Sequence, residues 1–284
     1  MLINIKQILP GMRSKKLLSY ILTFFTVLAV FMLNITFSSK IPETILIVIR
    51  ILLIVIFFIA WQLFHKNKQK YVSDLAFTLM VINIAFLITS LFTSELWNLD
   101  LKNAKGIALA KFSDSFFICF VLILSFLIAG YELKDLYIAK GRLVVGIIIG
   151  FSAFVLMGFF AIYNAKQSIE LTFLTKNLVW ILLFVIANGF MEELLFRGIF
   201  LKQLNISFRP IWSITLTALV FGISHMQVTY TPDVLIFVGI VSILGFIWGL
   251  LMYYTNSLIA SVLFHAGADL MIIIPIYSSF GVTD

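Results

Sequence analysis

Long apolar runs separated by short polar segments dominate the chain. Nine of them approach the length of a membrane crossing, at about 17–37, 44–64, 75–93, 112–130, 143–163, 177–201, 211–230, 234–254 and 257–278. A helix needs roughly 20 residues to cross the hydrocarbon core. It also satisfies its own backbone hydrogen bonds there, as an isolated strand does not. The pattern therefore predicts an all-α, polytopic transmembrane helical bundle of eight or nine spans. The range reflects the last three runs, which lie close enough together for one to be a re-entrant segment. The first run exceeds the roughly 7–15 residues of a signal-peptide core, and it reads as an uncleaved span.

Composition agrees with the pattern. The chain has 284 residues, 62% hydrophobic and 12% charged, against roughly 25% charged in soluble domains. Its formal charge is +7. Nucleic-acid binding is not expected, because the basic residues sit in short loops between apolar runs rather than on one face. Their placement instead reports orientation. With the N-terminus inside, the inner segments hold Lys6, Arg13, Lys15, Lys16, Lys66, Lys68, Lys70, Lys134, Lys140, Arg142, Lys202 and Arg209, twelve against the outer six of Lys40, Lys102, Lys105, Lys111, Lys166 and Lys176. The positive-inside rule then gives a cytoplasmic N-terminus and, with nine spans, an external C-terminus. The one cysteine, Cys119, lies within an apolar run, so neither an internal disulfide nor a cysteine-rich metal site is expected. The chain divides most naturally near residue 142. Residues 1–142 hold four accessory spans, and residues 143–284 hold a catalytic transmembrane domain with its motif core at about 177–275.

Ionisable residues inside spans are costly and mark functional sites. Arg50, one turn or so inside the second run, reads as a side chain snorkelling to a headgroup. Asp114 lies near a span end, within reach of the interface. His65, in the basic segment HKNKQK, reads as solvated. The remaining six, Glu192, Glu193, Arg197, His225, His265 and Asp269, all fall in the last four runs. In Met191-Glu192-Glu193-Leu194-Leu195-Phe196-Arg197-Gly198, Glu193 and Arg197 stand four apart on one helical face in the favoured order. Glu192 is turned about 100° away. The pair neutralises itself, whereas Glu192 has no partner on its own helix and is free to act as a general base. Phe221 and His225 share a face, as do His265 and Asp269; the latter carboxylate is expected to fix the imidazole tautomer. At about 1.5 Å per residue, Glu192, His225 and His265 lie roughly 15, 20 and 13 Å from the inner ends of their runs. Gly198, Gly222, Ala266, Gly267 and Ala268 would let the helices approach closely.

Glu-Glu-x-x-x-Arg, Phe-x-x-x-His and His-x-x-x-Asp, in that order on separate apolar runs, resemble the CPBP family. That group contains the Ras-converting type of CAAX prenyl protease and bacterial Abi-domain and bacteriocin-immunity proteins. The resemblance covers roughly residues 177–275. It implies an intramembrane endopeptidase in which Glu192 and His225 activate the attacking water, His265 and Asp269 contact the tetrahedral oxyanion, and Glu193 and Arg197 complete the first motif. The last motif position is often Asn in this family. An ionised Asp269 cannot donate to an oxyanion; it would act protonated, orient His265 or bind a metal. Glu192, His225 and His265 are a donor set for zinc with an open position, yet no His-Glu-x-x-His motif is present, and Glu with His activates water without metal. Of the two, the metal-independent chemistry is the one expected here. The implied partners are membrane lipid and a membrane-associated peptide or protein substrate. The implied location is a bacterial plasma membrane, and the implied setting is peptide processing or bacteriocin self-immunity. A transporter or channel with a midplane charged site is the main rival, although no inverted repeat is visible. A catalytically silent immunity or scaffold protein is the second.

Overall fold

The computed structural model describes residues 14–92, 97–165, 169–279 and 282. Lys6, Arg13 and Lys166, used in the charge count, lie outside them. Ten α-helices follow one another: α1 (Ser14–Phe31), α2 (Glu43–Lys66), α3 (Lys70–Thr89), α4 (Ala104–Ile128), α5 (Leu143–Ala165), the short α6 (Leu171–Lys176), α7 (Leu178–Glu193), α8 (Pro210–Ser224), α9 (Val234–Thr255) and α10 (Ile259–Ser279). π-Helical stretches extend α1 over Met32–Thr36 and α7 over Leu194–Leu201, and α7 ends in an α-helical turn at Lys202–Leu204. Among the described residues seven helices are long and apolar enough to cross a membrane, and two shorter apolar ones occupy the first and seventh expected positions.

Local signals set the helix ends. The Asn103 side chain accepts from the Gly106 N–H at 2.7 Å and caps α4. Pro210 opens α8, where its missing N–H costs nothing. Asn256 closes α9 in the left-handed region, with its N–H on the Met252 carbonyl. Two expectations need correction. Because α4 begins at the Asn103 cap, Lys105 and Lys111 are helical rather than loop residues, and Asp114 lies well inside the helix instead of near its end. α8 stops at Ser224 after 15 residues, about 22 Å of helix and short of the ~30 Å hydrocarbon core. The expected run to residue 230 is mostly turn beyond that point.

α10 is central to the C-terminal half, packed along α5 and also against α7 and α9, while α8 pairs with α9. α2 pairs with α3, α3 meets α4, and α4 lies along α7. The larger buried core runs without interruption across residue 142: Phe31 stacks on Phe196 with ring centroids 4.5 Å apart, and the Thr36 hydroxyl donates to the Ser224 carbonyl at 2.8 Å. α2 keeps little of its apolar surface inside the protein, as suits a lipid-facing helix.

Close helix approach depends on the small residues singled out above. A β-carbon at Gly267 would stand 2.7 Å from the Phe154 Cα, and one at Gly222 would overlap the Ser242 side chain. Gly267→Ala should therefore push α10 off α5 and lower the thermal midpoint of the purified protein, as overpacking costs about 1–3 kcal/mol. Gly239→Ala, where nothing lies within 4 Å, should leave that midpoint unchanged or raise it. Equal melting of both variants would contradict this packing account.

Candidate active site

The site forms where α7 meets α10 and the end of α8. The π-helical stretch begins immediately after Glu193, and all of Leu194–Leu201 is buried. Glu193 and Arg197 are fully buried, with the Arg197 Nη1 donating to Glu193 Oε1 at 2.9 Å. The same carboxylate oxygen accepts from His265 Nδ1 at 2.8 Å. Since a carboxylate only accepts, this contact places a proton on Nδ1 and turns Nε2 towards the cavity. Glu193, and not Asp269 as expected, therefore sets the ring orientation of His265. The indole of Trp248 stacks on that ring at 4.1 Å with an interplanar angle of 11°. The Arg197 guanidinium sits 4.4 Å from the Phe221 ring centroid. Gly245 makes room for it, since a β-carbon there would lie 2.7 Å from Nη2.

Glu192 is turned away from this clamp. Its Oε2 is 3.5 Å from His265 Nε2 and has no hydrogen-bond partner among the described residues. Asp269 Oδ1 is 3.6 Å from the same nitrogen. His225 lies just past the end of α8, where its Nδ1 approaches the Phe221 carbonyl at 2.8 Å. A carbonyl accepts, so His225 carries its proton on Nδ1 and offers Nε2 as a base. Glu192, His225, His265 and Asp269 all line one cavity of about 220 Å³. Five of the six expected side chains thus meet directly or through one shared partner, and His225 joins them across the cavity.

Three further polar residues line it whose place in the site sequence reasoning did not single out. Asn188, one turn before Glu192, donates through Nδ2 to Asp269 Oδ2 at 2.9 Å, and its Oδ1 is buried with no partner among the described residues. Its only sequence signal was an amide at i−4 from Glu192 inside an apolar run. Tyr230, from the turn after α8, brings a phenol to the cavity. Burial, then the nearby carboxylates of Glu192 and Asp269, push its pKa up, so that it remains a donor. Lys111 reaches the cavity from α4.

Among the described residues no three His, Cys, Asp or Glu side chains form a group that could hold a metal ion. Glu192, His225 and His265 share the cavity without converging as a ligand set.

No curated protein and no solved structure matches the chain. A family model does: residues 173–271 match the one described as Rce1-like, type II CAAX prenyl endopeptidase. That segment carries all six motif residues and most of the cavity lining. The similarity to the Rce1-like type II CAAX prenyl endopeptidases thus falls on the part of the chain that builds the site.

Proposed function

We propose that this protein is an intramembrane endopeptidase that hydrolyses a membrane-associated peptide with a water activated by Glu192 and His225. One observation carries the reading. Glu193 is completely buried behind the cavity wall with its Oε1 holding both Arg197 and His265, whereas Glu192, its chain neighbour, lines the cavity and makes no hydrogen bond through Oε2 among the described residues. Two carboxylates one residue apart thus have separate roles, one structural and one available for proton transfer.

The steps follow from the donors and acceptors present. A water between Glu192 and His225 Nε2 passes a proton to Glu192 as its oxygen attacks the scissile carbonyl carbon. The carbonyl π bond opens to an oxyanion. His265, carrying a proton on Nε2 as well as Nδ1, donates to that oxyanion, and the carboxylates around the ring balance its charge. The intermediate collapses, the C–N bond breaks, and the proton held by Glu192 moves to the leaving nitrogen. The products are a free amine and a carboxylic acid, whose remaining water-derived proton passes to His225 Nε2 to leave the new carboxylate. Asp269 cannot donate when ionised, but the Asn188 amide that donates to it also lines the cavity, which supports Asn188 as the donor to the oxyanion. This amide supplies the donor chemistry that an Asn in the last motif position would bring.

The test is hydrolysis in heavy-oxygen water by the purified protein in nanodiscs, with peptides carrying a C-terminal CAAX sequence, prenylated and unprenylated. One heavy oxygen should appear in the new carboxylate, and EDTA should leave the rate unchanged. Loss of activity in EDTA with recovery on added zinc would contradict the metal-free scheme. Asn188→Ala should lower kcat by about 10²-fold, in the range of one lost oxyanion donor, with little change in KM.

A further inference from the structure

The four N-terminal spans lie outside the family match, yet they build a second chamber against the first. It has a volume of about 530 Å³ and is lined by residues of α2, α3 and α4 together with Met191, Glu192 and Leu195 of the first motif. Glu192 and Lys111 line both chambers, so the two share a wall.

Arg50 dominates the second chamber. The residue is 4% exposed and so does not snorkel to a headgroup as its place near a span end predicts. The Asn34 Nδ2 donates to the Val30 carbonyl at 2.9 Å and to Asn83 Oδ1 at 3.1 Å, and Asn34 Oδ1 accepts from Arg50 Nε at 2.9 Å. Asn83 is fixed in turn by its own bond to the Leu79 carbonyl. This relay consumes Nε and orients the guanidinium. The two Nη nitrogens have no hydrogen-bond partner among the described residues, and Arg50 forms no ion pair there. The nearest influence on its own helix is Glu43, two turns earlier and exposed. A buried guanidinium without a counter-ion is strongly unfavourable. Lys111 adds a second cation to the wall, with Asp114 three residues on as the one acidic residue beside it other than Glu192.

We infer that this chamber is a carboxylate-binding subsite, in which the two Arg50 Nη groups, aided by Lys111, hold the C-terminal α-carboxylate of the peptide whose scissile bond lies in the neighbouring chamber. Side-by-side Nη donors match the two oxygens of a carboxylate. The shared wall at Glu192 lets one extended peptide occupy both chambers, its end in the second and its reacting bond in the first. The subsite would select bonds close to a free C-terminus and make the accessory spans part of substrate recognition. This inference rests on the peptidase reading, but its test needs no turnover.

The probe is N-acetyl-trileucine, as the free acid and as the C-terminal amide, titrated calorimetrically into the purified full-length protein in phosphatidylcholine nanodiscs. The acid should bind about tenfold tighter or more, as expected for a charge-assisted pair of hydrogen bonds. Arg50→Gln should equalise acid and amide. Lys111→Gln, which leaves the buried asparagine relay intact, should narrow the difference several-fold and serves if Arg50→Gln does not fold. Glu192→Gln should abolish cleavage and keep the acid preference, which separates failure of the peptidase reading from failure of the subsite. Equal binding of acid and amide by wild type would overturn the proposal, as would a preference unchanged in the folded variants. Loss of acid binding when phosphatidylglycerol replaces phosphatidylcholine would assign the cations to a lipid headgroup and equally overturn it.

Discussion

Glu193→Gln is expected to unfold the centre of the bundle. Glu193 Oε1 holds two partners at once, Arg197 at 2.9 Å and His265 at 2.8 Å. Both Glu193 and Arg197 are completely buried. The substitution is nearly isosteric and keeps one acceptor, so packing changes little. What changes is the charge, and Arg197 is left as a cation in a low-dielectric interior among Phe196, Phe221 and Trp248. Removing one member of a buried pair costs about 3–5 kcal/mol. That is a large share of a typical folding free energy. The thermal midpoint in detergent should fall steeply for Glu193→Gln and for Arg197→Met alone. The double variant should recover part of the loss, because neither charge is then stranded. A double variant no better than the sum of the singles would show that the pair is not coupled.

Glu192→Gln should behave in the opposite way. Glu192 is only partly buried and makes no hydrogen bond through Oε2 among the described residues. Its amide should leave the melting midpoint within about 0.5 kcal/mol of wild type, the range for sites outside a packed network. Catalysis should drop by about 10²–10⁴ in kcat, the contribution of a positioned general base. KM should change little, since the side chain acts on the water rather than holding the peptide. Adjacent residues would then divide cleanly, Glu193 failing in stability and Glu192 in rate. The same split in reverse would exchange their roles.

The helices and the motif residues were legible in the sequence because both signals are local. Each of the nine apolar runs holds an apolar helix among the described residues, because lipid leaves the backbone few alternatives, although the fourth starts earlier and the seventh ends sooner than the run itself. The i,i+4 spacing of Glu193 and Arg197 became an ion pair because one helix carries both. The misreadings involve partners that lie far apart in sequence. Arg50 read as snorkelling because its partner Asn34 sits on the preceding span, and the i+16 separation has no periodic signature. Asp269 read as the residue that orients His265 because it lies four residues away, whereas the partner at hydrogen-bond distance is Glu193 from another helix. Lys111 read as a loop residue because its charge marked the edge of an apolar run. The Asn103 cap and the helix-favouring Ala-rich segment after it were the signals that would have moved the boundary. His225 read as a residue inside a span because apolar residues continue past it, although the helix itself ends at Ser224.

The central claim is that the uncommitted carboxylate of Glu192 drives peptide hydrolysis. The most direct measurement places wild-type and Glu192→Gln protein, purified side by side in nanodiscs, with a library of C-terminally prenylated and unprenylated peptides. Products are identified by mass spectrometry. Wild type should release fragments ending in a new carboxylate at one bond near the C-terminus, and Glu192→Gln, equally folded, should release essentially none. Identical fragments at identical rates from both proteins would contradict the account.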